Sequence, residues 1–257
     1  GSDFLADLTL KKITIREDPV TKLYDVSEDF LASGETDSRP QTQQTNITIK
    51  AEDHLTYDRP ARKATFSGGV SVAGSGKTLR CGELIASIKE NGDGGDVSVT
   101  DITAVDRVWL HYADLSAMGD RLEWQNVTQT CQITSEKSAT ISTEDFTLTG
   151  PNLTFFRLNS RFHAEGTGKL LWNTAKNGSD EKDDNKKPEE PVDEPGLFEF
   201  SRGSLVKITW DESMAYDKSE HWAIFKGGVS AHQRNTSLAG DILEIEFAES
   251  NRLVEKG

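Results

Sequence analysis

Two stretches of this chain, 159 residues apart, are variants of one another. Tyr57-Asp58, Phe66-Ser67-Gly68-Gly69-Val70-Ser71, Leu79 and Leu84 recur without a gap as Tyr216-Asp217, Phe225-Lys226-Gly227-Gly228-Val229-Ser230, Leu238 and Leu243. Between Ile47–Ile88 and Val206–Phe247, 11 of 42 positions are identical, five of them inside the Phe-x-Gly-Gly-Val-Ser block. A repeated unit of this kind is one supersecondary element that stacks or extends, each copy covering its neighbour's apolar face. The fold has to offer both copies equivalent places.

The unit is made of strands. Short runs with period-2 alternation recur along the chain, among them Ile13-Thr14-Ile15, Ala64–Val72, Leu79–Ile88, Val97–Val99, Val105–Tyr112, Ala139–Leu148, Leu153–Leu158 and Phe162–Trp172. Glycine pairs and Asn/Asp/Gly clusters punctuate them, as an antiparallel array requires. No convincing helical stripe interrupts them; Asp29–Ala32 has room for one turn at most. The expected class is all-β and antiparallel. Phe66, Val70 and Val72 share one face, as do Leu84, Ala86 and Ile88; the second copy places Phe225, Val229 and Ala231, then Leu243, Ile245 and Phe247, in the same positions. Gly119-Asp120-Arg121-Leu122-Glu123-Trp124 is a third, shorter echo. Glycine inside a strand weakens it unless the backbone must bulge or bend. Gly68, Gly69, Gly227 and Gly228 therefore predict a sharp bend in the sheet at one level.

Asp180–Glu194 holds eight acidic and three basic residues with two prolines and, Val192 apart, no hydrophobic residue, a composition that does not favour packing. The expected organisation is a β-module over residues 3–172, an acidic linker or loop over 173–196, and a second repeat over 197–257 extending the same stack. The formal charge of −14 argues against a nucleic-acid partner. No run approaches the roughly 18 apolar residues of a membrane-spanning helix. Gly1-Ser2 reads as a cloning remnant, so a natural targeting segment is expected to lie upstream.

Motifs with catalytic or metal chemistry are weak. Ser71–Thr78 ends like a phosphate-binding loop, but such a loop opens a helix, whereas Leu79–Ile88 alternates as a strand. The second copy has no Gly-Lys pair there either; a hairpin turn is the better reading. Five histidines show no ligand spacing, Cys81 and Cys131 form no CxxC, and no carboxylate pair stands out. A buried thiol at Cys81 is favoured over a Cys81–Cys131 disulfide. The tryptophans sit in alternating runs and are read as packing, with a sugar-binding platform as the alternative. The chain is expected to be non-enzymatic, with no cofactor.

Ala64-Thr65-Phe66-Ser67-Gly68-Gly69-Val70, a turn, then Leu79-Arg80-Cys81-Gly82-Glu83-Leu84 resembles the repeat of the OstA-like family, whose strands read A-x-F-x-G-x-V … L-x-A-D-x-L. Ala223–Val229 with Leu238-Ala239-Gly240-Asp241-Ile242-Leu243 matches it equally well, and Gly166-Thr167-Gly168 is similar to its G-x-G strand ends. These are periplasmic proteins of lipopolysaccharide transport and outer-membrane assembly. The resemblance implies a β-jellyroll bent into a slit, periplasmic location, and an apolar groove for the acyl chains of lipopolysaccharide or another amphipathic lipid. It nominates Phe66, Val70, Val72, Leu84, Leu122, Phe225, Val229, Leu243, Ile245 and Phe247 as groove residues. It also implies partnership with other envelope β-jellyroll proteins, or with a second copy, by edge-strand addition. The acidic balance is unhelpful for lipid phosphates unless Arg62, Lys63, Arg157 and Arg161 cluster at the groove mouth. The alternatives are a structural β-scaffold or protein-interaction module of the cell envelope, and a carbohydrate-binding domain.

Overall fold

The computed structural model describes residues 4–7, 12–23, 47–74, 76–91, 96–112, 115–174 and 204–246. The regular structure among them is seventeen strands and one turn of 3-10 helix, Arg157–Asn159. The strands are β1 (Phe4–Asp7), β2 (Lys12–Arg16), β3 (Val20–Leu23), β4 (Ile47–Lys50), β5 (His54–Asp58), β6 (Lys63–Gly74), β7 (Lys77–Asn91), β8 (Asp96–Tyr112) and β9 (Leu115–Gln125). They continue as β10 (Thr130–Ser142), β11 (Phe146–Phe156), β12 (Arg161–Glu165), β13 (Gly168–Asn173), β14 (Leu205–Trp210), β15 (Ser213–Asp217), β16 (Trp222–Gln233) and β17 (Thr236–Glu246). All pair antiparallel in one sheet, so the chain is all-β.

The pairing defines rungs. Strand β6 carries two short strands end to end on one edge, β5 opposite Lys63–Ser67 and β4 opposite Ser71–Ala73. Those continue outward onto β2 and β3. From β7 to β11 each rung is one long strand; then β12 with β13, β14 with β15, β16 and β17 complete the stack. Each rung changes course at the same level. The short strands break there, and the long ladders shift register between Ser67 and Val70, Arg80 and Glu83, Val105 and Val108, Thr134 and Ala139, and Lys226 and Val229. This line is a crease dividing the sheet into two arms. The A arm holds the hairpin turns at 59–62, 126–129, 157–160 and 218–221; the B arm holds those at 143–145 and 234–235.

The crease folds the sheet onto itself. Phe146 and Phe155 lie nine residues apart on β11, about 30 Å along an extended strand. Yet their rings sit 5.7 and 4.7 Å from the same Phe162 ring. Inward positions of both arms therefore merge into one apolar cluster that includes Phe66, Val70, Leu84, Leu110, Leu122, Ile133, Leu148, Leu153, Ile208, Trp210 and Phe225. Alternation explains it: β6 reads exposed-buried with Ala64, Phe66, Val70 and Val72 inside.

Several boundaries differ from the sequence reading. Ala139–Leu148 is not one strand but a hairpin, with Thr143 Oγ1 accepting the Asp145 and Phe146 amides at 3.2 Å. Phe162–Trp172 is broken at Gly166, whose φ of +80° ends β12. Val97–Val99 and Val105–Tyr112 are one strand, because Asp106 and Arg107 take left-handed conformations without interrupting it. The strands β5 and β15 did not stand out, being five residues long and ending in charged turns. Lys77 begins a strand, its Nζ 4.7 Å over the Tyr112 ring, and so the phosphate-loop alternative has no helix to open. The segments Asp29–Ala32 and Asp180–Glu194, and Phe247, lie outside the described residues.

Candidate functional site

The glycine pairs form the crease of the two copies. Gly68 and Gly69 have φ of +83° and +69°, and Gly227 and Gly228 have +80° and +52°, values that L side chains rarely adopt. Opposite them the chain makes the same bonds twice. Glu52 N donates to Gly68 O at 2.6 Å and Asp53 N to Ser67 O at 3.1 Å. Asp211 N donates to Gly227 O at 2.6 Å and Glu212 N to Lys226 O at 3.1 Å. A Cβ on Gly68 would lie 2.3 Å from Asp53 Cγ, and one on Gly227 2.4 Å from Glu212 Cγ, so carboxylate side chains lie against both glycine pairs.

The shared Tyr-Asp is a turn device. Asp58 Oδ1 accepts the Ala61 amide at 2.9 Å, and Asp217 Oδ1 accepts the equivalent Glu220 amide at 3.3 Å. Asp217 is buried and also takes the Ser219 amide, the Ser219 hydroxyl and the Arg161 guanidinium. The Ser219 hydroxyl first, then Arg161 and the turn amides, hold its carboxyl below the usual carboxylate range.

The repeat is longer in space than in sequence. Strands β12 and β13 stand to β15 and β14 as β2 and β3 stand to β5 and β4. Arg161 faces Asp217 as Lys12 faces Asp58, and Lys169 faces Thr209 as Val20 faces Lys50. Gly166 N donates to Glu212 O at 2.7 Å, as Glu17 N donates to Asp53 O at 2.9 Å. Trp210 occupies the place of Ala51. Its Nε1 donates to Gly166 O at 3.0 Å, and its ring lies where a Cβ on Gly168 would stand.

Of the nominated groove residues, Phe66, Val70, Val72, Leu84, Leu122, Phe225, Val229 and Ile245 are buried among other apolar side chains of the chain, and Leu243 is half-buried. Phe66, Leu84, Leu122, Phe225, Leu243 and Ile245 lie on the A arm, and Val70, Val72 and Val229 on the B arm. They sit in one interior. At rungs β11 to β15 its mouth is lined by Phe146, Phe155, Phe162 and Tyr216, with Phe146 reaching across from the B arm. At the β17 end a small cavity is lined by Val229, Leu238, Ala239, Gly240, Ile242 and Leu243, where Ile242 is 60% exposed.

At the B-arm end of this interior the buried Thr174 and Gln233 are hydrogen-bonded to Ser204, and the carboxylates of the crease stand outside it. Glu52, Asp53, Asp106, Asp120, Asp211 and Glu212 project along the outside of the crease. Asp120 accepts the Ser135 hydroxyl at 2.7 Å and the Glu136 amide at 2.9 Å, which lowers its pKa. Cys81 and Cys131 are free thiols, each pushed up to about 12 chiefly by burial. Trp124 and Trp210 point inward; Trp109 is stacked on His111 with Arg80 over its ring, and Trp222 donates to Glu220. Arg62 and Lys63 stand at one A-arm turn and Arg157 and Arg161 at another, so all four lie on the same rim.

No family model and no curated protein matches the chain. Among solved structures it is similar to LptH, the LptA-homologous periplasmic component of the lipopolysaccharide transport device of Pseudomonas aeruginosa. The identity is 14% and the TM-score 0.38, over 46% of this chain and 81% of that one.

Proposed function

We propose that the chain is a non-enzymatic lipid carrier or bridge of a bacterial envelope, located in the periplasm. On this reading it holds the acyl chains of lipopolysaccharide or another amphipathic lipid between its two arms. The supporting observation is the single apolar interior of a creased sheet. Among the described residues no A-arm segment pairs with a B-arm segment, and the long ladders that span both arms already shift register at the crease, so the arms can part there without breaking the pairing within either arm. What parting costs is apolar contact such as Phe146 on Phe162. Acyl chains inserted there restore it, at about 25 cal/mol per Å² of apolar surface covered. Among the described residues β17 pairs with β16 alone, and on this reading its outer edge is where another β-jellyroll or a second copy adds a strand.

A structural β-scaffold is the second reading, favoured by the same interior being covered already, with Phe225 at 0% and Phe66 at 3% exposure. Native mass spectrometry of protein purified from a lipopolysaccharide-producing host separates the two. The carrier reading expects a lipid-sized adduct and a change in tryptophan emission on adding lipopolysaccharide. Absence of both, with the sheet intact by circular dichroism, leaves the scaffold.

A further inference from the structure

We propose that the A-arm rim is a docking edge for an anionic lipid surface. The hairpin turn after β9 and the turn after β11 are neighbours: Arg157 N donates to Gln129 O at 3.0 Å and Arg157 Nη1 to Gln129 Oε1 at 2.7 Å. Each turn raises an apolar side chain at its tip. Val127 is 87% exposed and Leu158 78%, with Phe156 at 36% beside them. Single exposed aliphatics are ordinary; here two crown adjacent turns held in register by two hydrogen bonds. Nothing in the turns themselves requires those side chains, since Gln129 and Asn126 make the internal bonds of the first turn.

Charge identifies the partner. The chain is acidic overall and its crease bears carboxylates, but this rim does not follow suit. Arg59, Arg62 and Lys63 are exposed on the β5–β6 turn, and Arg157 and Arg161 flank Leu158. Of the acids on this rim, Asp58 accepts Ala61 N, Asp217 is buried and ion-paired with Arg161, and Glu220 accepts Trp222 Nε1, while Asp101 and Glu246 are exposed; among the described residues the cations without a carboxylate partner of this kind are those of the β5–β6 turn. The turns at 126–129, 157–160 and 218–221 recur every two rungs, about 10 Å apart, and the turn at 59–62 lies four rungs, about 20 Å, from the first of them on the same side of the sheet. Aliphatic tips between cations match the boundary between phosphate headgroups and acyl chains. The carboxylates along the crease keep that side of the molecule away from the same surface.

The edge is independent of lipid carriage inside the interior. The 257-residue protein is sedimented with vesicles of phosphatidylglycerol and phosphatidylcholine, and with phosphatidylcholine alone. Binding is expected to the anionic vesicles and to weaken with added salt. V127D/L158D is expected to weaken it by about ten-fold or more, and R59E/R62E by a smaller factor that vanishes at high salt. Both pairs are exposed, and a thermal melt matching the parent's confirms the fold. The native lipid adduct is expected to survive in V127D/L158D. Failure of the parent to bind anionic vesicles, or equal binding by V127D/L158D, overturns the docking edge, whereas loss of the adduct alone bears on the interior.

Discussion

The two copies of the repeat put the same residues into different surroundings. Leu79 and Leu84 on β7 are 3% and 2% exposed, while their equivalents Leu238 and Leu243 on β17 are only half-buried. The residues and the strand geometry are alike; the neighbour is not. Strand β7 is covered by β8 on its far edge, whereas among the described residues β17 pairs with β16 alone. Burial in this fold is therefore conferred rung by rung, by the next strand as much as by the opposite arm. A second difference lies at the crease, where Ala51 beside buried Pro19 is replaced by Trp210 in the cradle of Gly168. The first copy fills that level with a stiff ring and a methyl group, the second with an indole and no side chain at all.

The sharpest way to break this comparison is to empty the positions. Phe66→Ala and Phe225→Ala should each destabilise by about 3–5 kcal/mol, being equally enclosed. Trp210→Ala should cost as much, with no counterpart at Ala51. Urea denaturation followed by circular dichroism reads all three. Leu84→Ala should cost about 2–5 kcal/mol and Leu243→Ala only about 1 kcal/mol, because much of the latter's surface already meets water. Equal losses at Leu84 and Leu243 would mean that the end rung is covered after all, and the argument from the missing neighbour would fail.

How far the sequence disclosed this arrangement depended on which residues carried it. The Phe-x-Gly-Gly-Val-Ser block was legible because its aromatic, its left-handed glycines and its inward valine each have one job that few residues can do. Leu84, Leu122 and Leu243 were legible for the same reason, as the first inward A-arm residue after the crease on three rungs. The other half of the repeat was not. Lys12–Leu23 and Arg161–Trp172 hold equivalent places at an offset of 149 residues, yet no position is identical between them. There the crease is made once by Glu17, Asp18 and Pro19 and once by Gly166, Thr167 and Gly168, two solutions to one backbone requirement. Arm assignment was equally hidden, since it depends on which strands pair across long gaps. The mouth aromatics Phe146 and Phe162 gave no signal as a pair; only the fold brings them together.

The glycines offer a smaller and more discriminating test. Gly68→Ala and Gly227→Ala both force a side chain into φ near +80° and should each cost about 1–3 kcal/mol. Their neighbours differ. The Cβ at 68 would press on Asp53 Cγ, Oδ2 and Cβ, and that at 227 on Glu212 Cγ, Cβ and the backbone nitrogen, at 2.9 Å. Trimming Asp53 to Gly should therefore relieve more of the Gly68→Ala penalty than trimming Glu212 to Gly relieves of Gly227→Ala. Melting temperatures of the two double variants against their singles decide it. Equal relief would show that the strain resides in φ alone.

The smallest expected effect concerns the paired turns, and it carries a sign. Asp217 has a folded pKa lowered by the Ser219 hydroxyl, Arg161 and the turn amides. A carboxyl of this kind contributes its stability in full above its unfolded pKa, near 4. It loses that contribution as pH falls through the lower folded value. Asp217→Asn keeps an acceptor oxygen for the turn but cannot ionise, so parent and variant should differ most at neutral pH and converge as the pH drops below about 4. Asp58→Asn removes a half-exposed carboxylate and should change the neutral-pH stability less. Denaturation midpoints of the three proteins between pH 2.5 and 7 make the comparison. A penalty for Asp217→Asn that is the same at both ends of that range would mean that shape, and not charge, holds the turn in the second copy.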